Sequence, residues 1–124
     1  MAEADACARR VKRLRSLMAE RGYDAAVLRN NADLRWLTGA ERTFDDEVAH
    51  TAFVTGDRLW LHTDSRYFGT FQDRLGEDTC WQIDMDVIDP ADWAAERVVK
   101  TRSRVVAVED SCDLAFFDAF NAAC

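Results

Sequence analysis

The chain has 124 residues, of which 48% are hydrophobic and 31% charged, a composition typical of one soluble globular domain. Its net charge of −7 argues against a nucleic-acid-binding surface. No apolar run approaches the ~20 residues that cross a bilayer, and no signal-peptide pattern is present, so we expect neither a membrane partner nor secretion. The cysteines show no metal-binding spacing and are expected to be free thiols in a reducing cytoplasm: Cys7, Cys80, Cys112 and Cys124.

The first forty residues predict two helices around one strand. A helix is expected from about residue 5 to Arg21, and Gly22 fits its end. The continuous apolar run 25–28 is typical of a strand buried on both faces. Residues 31–37 indicate a short helix that begins after Asn30 or Asn31 and ends before Gly39.

The middle of the chain predicts a hairpin followed by a helix. Two strand candidates, about 48–55 and 58–63, are separated by a two-residue turn at Gly56 and Asp57. A helix is expected over 67–75. Apolar and polar residues then alternate over 81–87, which predicts a half-buried strand near a sheet edge.

The last third predicts helix, strand and helix. Asp89 and Pro90 are suited to the N-cap and the first position of a helix. The run 105–108 is a second continuous strand candidate, expected in the sheet interior. A final helix is expected from Asp113, and three apolar side chains are predicted on or near one of its faces: Leu114, Phe117 and Phe120. Together these elements predict an α/β domain with a mixed sheet.

Two sets of residues carry metal-ligand chemistry, and each has an ordinary structural explanation. His62 and Asp64 would share a strand face with Trp60, where they bind a metal, orient a base or simply form a half-exposed polar pair. The segment 45–47 is acidic and precedes His50, which fits either a divalent-cation site or a solvated loop. No nucleophile motif or glycine-rich phosphate loop is present in the sequence.

Three segments, in order, resemble the amino-terminal domain of the creatinase/aminopeptidase P/prolidase family. Residues 13–25 are similar to its "R-L-x-x-L-R-x-x-M…G-x-D-A" opening. Residues 36–39, WLTG, are similar to "Y-L-T-G". Residues 59–68, LWLHTDSRYF, resemble the "L-W-T-D-G-R-Y-F" stretch of Xaa-Pro aminopeptidases.

The resemblance implies a ribonuclease H-like α/β fold for residues 1–124 as one non-catalytic domain. It places catalysis in a separate carboxy-terminal domain, which is expected to be absent from this chain. That domain would hold two divalent ions (Mn, Co or Zn) and hydrolyse the peptide bond before proline, with no cofactor on this chain itself. The expected partners are that catalytic domain, neighbouring subunits of a homo-oligomer, and the parent's peptide substrate.

The same resemblance indicates residues that reach a substrate or a subunit interface. The region after the LTG element points to Arg42, Phe44 and His50, and the third motif adds Arg66. Arginines there are suited to a substrate carboxylate or an interface carboxylate. Two alternatives stay open: a free-standing interaction or ligand-binding module, and a metal-dependent nuclease of ribonuclease H-like fold, which fold alone does not establish.

Overall fold

Strands and helices alternate along residues 2–40, 49–76 and 79–124, the part of the chain that the computed structural model describes. The strands are β1 (Ala25–Leu28), β2 (Thr51–Thr55), β3 (Leu59–His62), β4 (Gln82–Asp84) and β5 (Val106–Val108). The helices are α1 (Ala2–Arg21), α2 (Asn31–Thr38), α3 (Ser65–Leu75), α4 (Pro90–Thr101) and α5 (Leu114–Ala123).

The strands form one mixed sheet in the order β4-β3-β2-β1-β5. β2 and β3 are the predicted antiparallel hairpin, closed by the Thr55 N–H donating to the Arg58 carbonyl at 3.0 Å. β1 pairs antiparallel with β2 and parallel with β5, while β3 pairs parallel with β4. The predicted α/β fold with a mixed sheet and a central hairpin is therefore confirmed.

The strand register sets the polarity of the sheet. His62 at the end of β3 lies opposite Thr51 at the start of β2 and Asp84 at the end of β4. Leu28 ends β1 opposite Ala52, on the same side. We call this side, where β1, β3, β4 and β5 end, the carboxyl edge, and the opposite side the amino edge.

Short polar side chains begin the helices as the sequence predicts. Asn30 caps α2 by accepting from the Ala32 N–H at 2.9 Å, and Asp89 caps α4 by accepting from Ala91 at 3.1 Å. Asp113 caps α5 by accepting from the Phe116 N–H at 2.7 Å. Gly39 ends α2 with φ 71°, a left-handed conformation that glycine adopts without a Cβ clash.

Two apolar layers cover the two faces of the sheet. One layer joins α1, α2 and α3 to the sheet and contains Val11, Met18, Leu34, Leu37, Leu61 and Phe71. The other joins α4 and α5 to the sheet and contains Val27, Phe53, Trp60, Trp93, Phe116 and Phe120. This three-layer arrangement buries the sheet and leaves its two edges available for polar groups.

The position of β5 corrects one prediction. The run 105–108 was expected in the sheet interior, but β5 lies at the end of the strand order and pairs only with β1 among the described strands. Its residues Val106–Val108 are half-buried. The apolar run of β5 is explained by contact with helices, because α4 and α5 cover one face of this outermost strand.

The structure limits the predicted strand over 81–87 and shows which apolar side chains of α5 are buried. β4 ends at Asp84, so the predicted alternation stops early and leaves Met85 and Val87 47% and 106% exposed. On α5, Leu114 and Phe117 are 72% and 38% exposed. The buried face of α5 contains Phe116 and Phe120, which are four residues apart and lie on the same side of the helix.

In the described residues, no helix has both the length and the apolar character that crossing a membrane requires.

Candidate functional site

The carboxyl edge gathers most of the charged side chains that have defined partners. In open α/β sheets, ligands bind outside the carboxyl ends of the strands. In this chain three groups of residues lie at that position, one after the end of β3, one after β4 and one after β5.

His50 is held rigidly next to the end of β3. It is 1% exposed, and its Nδ1 lies 2.9 Å from the Thr63 hydroxyl. The imidazole packs edge-on against Tyr67 and Phe71, with ring centroids 4.7 and 5.1 Å away. These contacts fix the ring by packing, so the predicted site residue His50 is suited to positioning its neighbours rather than to meeting a ligand in solvent.

Arg66 lies beside this buried histidine and is exposed. Its Nη2 is 2.9 Å from the Asp64 Oδ2, and its Nε lies 3.3 and 3.2 Å from the two Asp64 oxygens. The two side chains are 61% and 43% exposed, and the guanidinium carbon is 5.2 Å from the Tyr67 ring centre. The hydrogen bond from Arg66 holds the pKa of Asp64 below its usual value. A planar guanidinium in this exposed position has the geometry to recognise a further carboxylate.

His62 and Asp64 do not form the pair that the sequence suggested. Asp64 lies beyond the strand, where it caps α3 by accepting from the Arg66 N–H at 2.9 Å. His62 is only 5% exposed and its Nε2 lies 2.9 Å from the Asp86 carbonyl. The strand ends at His62, so the alternation that would have aligned Asp64 with it no longer applies.

A buried polar network follows β4. Asp84 accepts from the Trp93 indole N–H at 3.2 Å and pairs with Arg97 at 3.5 Å. The Asp84 and Arg97 side chains are 13% and 11% exposed. Trp93 also stacks on His62, with ring centroids 4.9 Å apart. The network ties α4 to the end of β4 and stabilises the edge rather than offering open ligand positions.

A third group joins the ends of β1 and β5. The Glu109 carboxylate accepts from the backbone N–H of Arg29 and, at 3.0 and 3.1 Å, from that of Asn30. Burial, followed by a hydrogen bond to Asp33, raises the pKa of Glu109 to about 7. Arg29 pairs with Asp113 at 3.6 Å and lies 4.6 Å from the Phe116 ring centre.

The sequence-predicted site residues are only partly described. Arg42 and Phe44 lie outside the described residues, as does the acidic segment 45–47. His50 and Arg66 both lie at the carboxyl edge, where each packs against the ring of Tyr67. Sequence reasoning missed Glu109, although an acidic residue directly after a continuous apolar run signals a polar group at a strand end.

The described residues contain free cysteines but no grouped metal ligands. The four cysteines are free thiols, as predicted, and burial raises the pKa of Cys112, which lowers its reactivity. Within residues 2–40, 49–76 and 79–124, no group of three or more His, Cys, Asp and Glu side chains is placed to hold a metal ion. The described residues therefore offer no set of ligands for the metal pair, which the family resemblance places in a separate domain.

Several solved structures share this fold. The aminopeptidase P of Streptococcus thermophilus superposes with a TM-score of 0.79 at 21% identity, covering 95% of this chain and 85% of that one. An Xaa-Pro aminopeptidase from Streptococcus pyogenes gives 0.79 at 24% identity, with 97% and 86% covered. An Xaa-Pro dipeptidase from Bacillus anthracis gives 0.79 at 20% identity, with 94% and 31% covered. The chain thus spans about a third of that dipeptidase. No curated protein matches the chain by sequence.

The arrangement of sheet and helices is the fold seen in proteins of the Xaa-Pro peptidase class. The sequence profile of the creatinase/prolidase N-terminal domain matches residues 10–124. The chain belongs to the creatinase/prolidase N-terminal domain family.

Proposed function

We propose that this chain is the non-catalytic N-terminal domain of an Xaa-Pro aminopeptidase-like or prolidase-like metallopeptidase. In this proposal its carboxyl edge borders the substrate cleft of a neighbouring subunit and helps to assemble the oligomer. The parent enzyme hydrolyses the peptide bond before proline in the cytoplasm. The family membership and the shared fold with Xaa-Pro aminopeptidases and dipeptidases support the proposal.

The exposed Arg66–Asp64 pair at the carboxyl edge carries the substrate-access part of the proposal. A surface ion pair contributes little to stability, on the order of 0–1 kcal/mol, so its guanidinium can exchange partners at small cost. The buried His50 packs against the half-buried Tyr67 and holds this region in place. An incoming peptide carboxylate, or a carboxylate of a neighbouring subunit, would compete with Asp64 for the same two N–H donors.

We assign the metal chemistry to a separate catalytic domain. A pair of divalent ions supplies a nucleophilic water and polarises the scissile carbonyl when bound. The described residues of this chain include no grouping suited to that role. What this chain contributes is orientation and charge at the rim of the cleft, which affect substrate affinity more than the chemical step.

The proposal is tested in the protein encoded by the whole gene, assayed with manganese and a proline-containing peptide. Substitution of Arg66 by Ala is expected to raise KM about tenfold, the loss of one charge-assisted contact, with kcat changed less than about twofold. Arg74→Ala, at the other end of α3 and also exposed, is the matched control and should leave both constants unchanged. Absence of peptidase activity in the unaltered protein, or equal KM values for both variants, would contradict the proposal.

The two rival functions have less support from the described residues. A nuclease needs carboxylates that converge on divalent ions, but Asp64 is paired with Arg66, and Asp84 with Arg97 and Trp93. A free-standing interaction module is distinguished by the same assay, since it predicts that the gene product has no peptidase activity.

A further inference from the structure

A basic cleft lies at the amino edge, on the side of the sheet opposite the proposed substrate edge. Its volume is about 510 Å³, within the ~300–1,000 Å³ range of small-molecule sites. It lies between the β2–β3 turn, the start of β1, and the segment that connects α4 to β5. Four cations line it, Arg58, Lys100, Arg102 and Arg104, against two carboxylates, in a chain whose net charge is −7.

The two carboxylates are already occupied. Asp24 accepts from the backbone N–H groups of Arg104 and Val105 at 2.7 and 3.0 Å. Asp57 accepts from the Thr55 hydroxyl at 3.1 Å. Both serve as turn and strand-end acceptors and keep their negative charge, so the four cations of the lining exceed its carboxylates by two.

The cations of the α4–β5 segment have no ion-pair partners in the described part of the chain. Side chains of Lys100, Arg102 and Arg104 are exposed, and none forms a salt bridge within 4.0 Å of a described carboxylate. Three like charges at alternate positions repel one another. An anion bound among them would relieve that repulsion.

Arg102 occupies a backbone position that favours glycine. Its φ is 56°, the one positive φ among the described non-glycine residues, and it lies at the C-cap of α4. An arginine there is strained relative to glycine. Strained backbone positions are concentrated at functional sites, so this one supports a role for the Arg102 side chain in the cleft.

The helix end does not oppose an anion strongly. The carbonyls of Val98 and Val99 accept from the N–H groups of Ser103 and Arg102 at 3.1 and 3.2 Å. The Arg97 carbonyl accepts from the Thr101 hydroxyl at 2.7 Å. These bonds satisfy several of the carbonyl groups that make a helix C-terminus negative.

Trp60 forms part of the cleft wall. It is 1% exposed, and its indole Nε1 is buried without a hydrogen-bond partner. Arg58 and Lys100 lie 4.4 and 5.9 Å from its ring centre. Trp60 therefore holds two of the cleft's cations close to the same ring.

We propose that the amino-edge cleft binds a small polyanion, a phosphate- or carboxylate-bearing ligand held by Lys100, Arg102 and Arg104. The site is independent of the proposed peptidase role, because it lies on the opposite side of the sheet. Bidentate arginines suit both oxygen chemistries, so the two ligand sources are separated by experiment.

Titration of the isotope-labelled chain with pyrophosphate and, separately, with citrate tests the site by amide and indole N–H chemical shifts. We expect saturable shifts at residues 100–104 and at the Trp60 indole with at least one of the two. Saturation by pyrophosphate alone identifies a phosphate ligand, and by citrate alone a carboxylate ligand. Matched sodium chloride is the control for ionic strength.

Arg102→Gly is the informative variant, since glycine fits the left-handed backbone and should fold at least as well as arginine. It should weaken binding about fivefold or more, the loss of one charged contact. The control, Arg9→Gln, removes an exposed charge from a residue that does not line the cleft. Arg9 lies about 18 Å along α1 from Arg21, the end of the helix that leads into the cleft, so its loss should change affinity less than twofold. Shifts that never saturate, or equal affinities for the two variants, would overturn the proposal.

Discussion

The carboxylate of Glu109 accepts hydrogen bonds from the backbone N–H of Asn30 at 3.0 and 3.1 Å, which joins the end of β5 to the start of α2. The two residues are 79 positions apart in the chain. Asn30 in turn caps α2 and donates from its side chain to the Ser111 hydroxyl at 3.2 Å. One carboxyl group thus fixes the end of the outermost strand β5 to the segment between β1 and α2.

Glu109 should make stability depend on pH. Its folded pKa of about 7 lies above the ordinary value of 4.5, because burial and the neighbouring Asp33 disfavour the charged form. The folded state therefore binds more protons than the unfolded state between these values, and stability falls as pH rises through this window. After allowance for partial exposure, we expect a loss of about 1–2 kcal/mol.

Urea unfolding of the Glu109→Gln variant measures this effect, since glutamine does not ionise. Relative to the unaltered chain, the free energy of unfolding of the variant should increase by about 1–2 kcal/mol between about pH 5 and about pH 8. Asp110→Asn, next to it and exposed, is the matched control. A difference that is the same at both pH values would show that Glu109 ionises normally.

Asp24 should affect the pH dependence of stability in the opposite direction to Glu109. Hydrogen bonds from the Val105 and Arg104 backbone lower its pKa from the usual 3.8, so its stabilisation is present above that pH and is lost as pH falls through the folded pKa. In Asp24→Ala the two amide groups lose their acceptor, and their hydrogen exchange should accelerate. The control Asp73→Ala, exposed on α3, should leave those two amides protected; equal exchange in both variants would refute the assignment.

The Trp93 indole should matter more for its N–H than for its size. Trp93→Phe removes the donor to Asp84 and leaves a buried carboxylate with one partner fewer, so we expect a loss of about 1–3 kcal/mol plus a packing term. Trp36→Phe makes the same change at a side chain that is 43% exposed and should cost less than about 0.5 kcal/mol. Chemical denaturation compares the two, and similar costs would exclude the network as a stabilising element.

One buried and one partly exposed phenylalanine test which side chains form the core. Phe53 is fully buried against Trp60, so Phe53→Ala should destabilise by about 3–5 kcal/mol. Phe117 is 38% exposed, and the same truncation should cost well under half as much. Comparable losses in thermal unfolding would contradict the assignment of Phe53 to the core and of Phe117 to the surface.

Local signals in the sequence were sufficient for most of the fold. Capping residues at Asn30 and Asp89, and glycines at 22 and 39, marked helix ends by chemistry that depends on a few neighbouring residues. Hairpin pairing followed from the Gly56–Asp57 turn. These signals need no knowledge of distant residues, and the structure confirms them.

Strand order and the candidate site depended on distant contacts. The apolar run of β5 gave no indication that it lies at the edge, because α4 and α5 supply the burial that a second strand would otherwise provide. The Glu109 contacts join segments 79–80 residues apart and have no local pattern. The expected His62–Asp64 pair failed because β3 ends one residue after Leu61, and Asp64 turns to cap α3.

Peptidase activity of the 124-residue chain on its own tests the central claim most directly. The purified chain is incubated with added manganese and a peptide with proline in the second position, and release of the first residue is followed. The account predicts no release above the rate without protein, because it assigns the metal-dependent hydrolysis to a separate catalytic domain. Manganese-dependent release that increases with chain concentration would contradict the assignment of this chain as a non-catalytic domain.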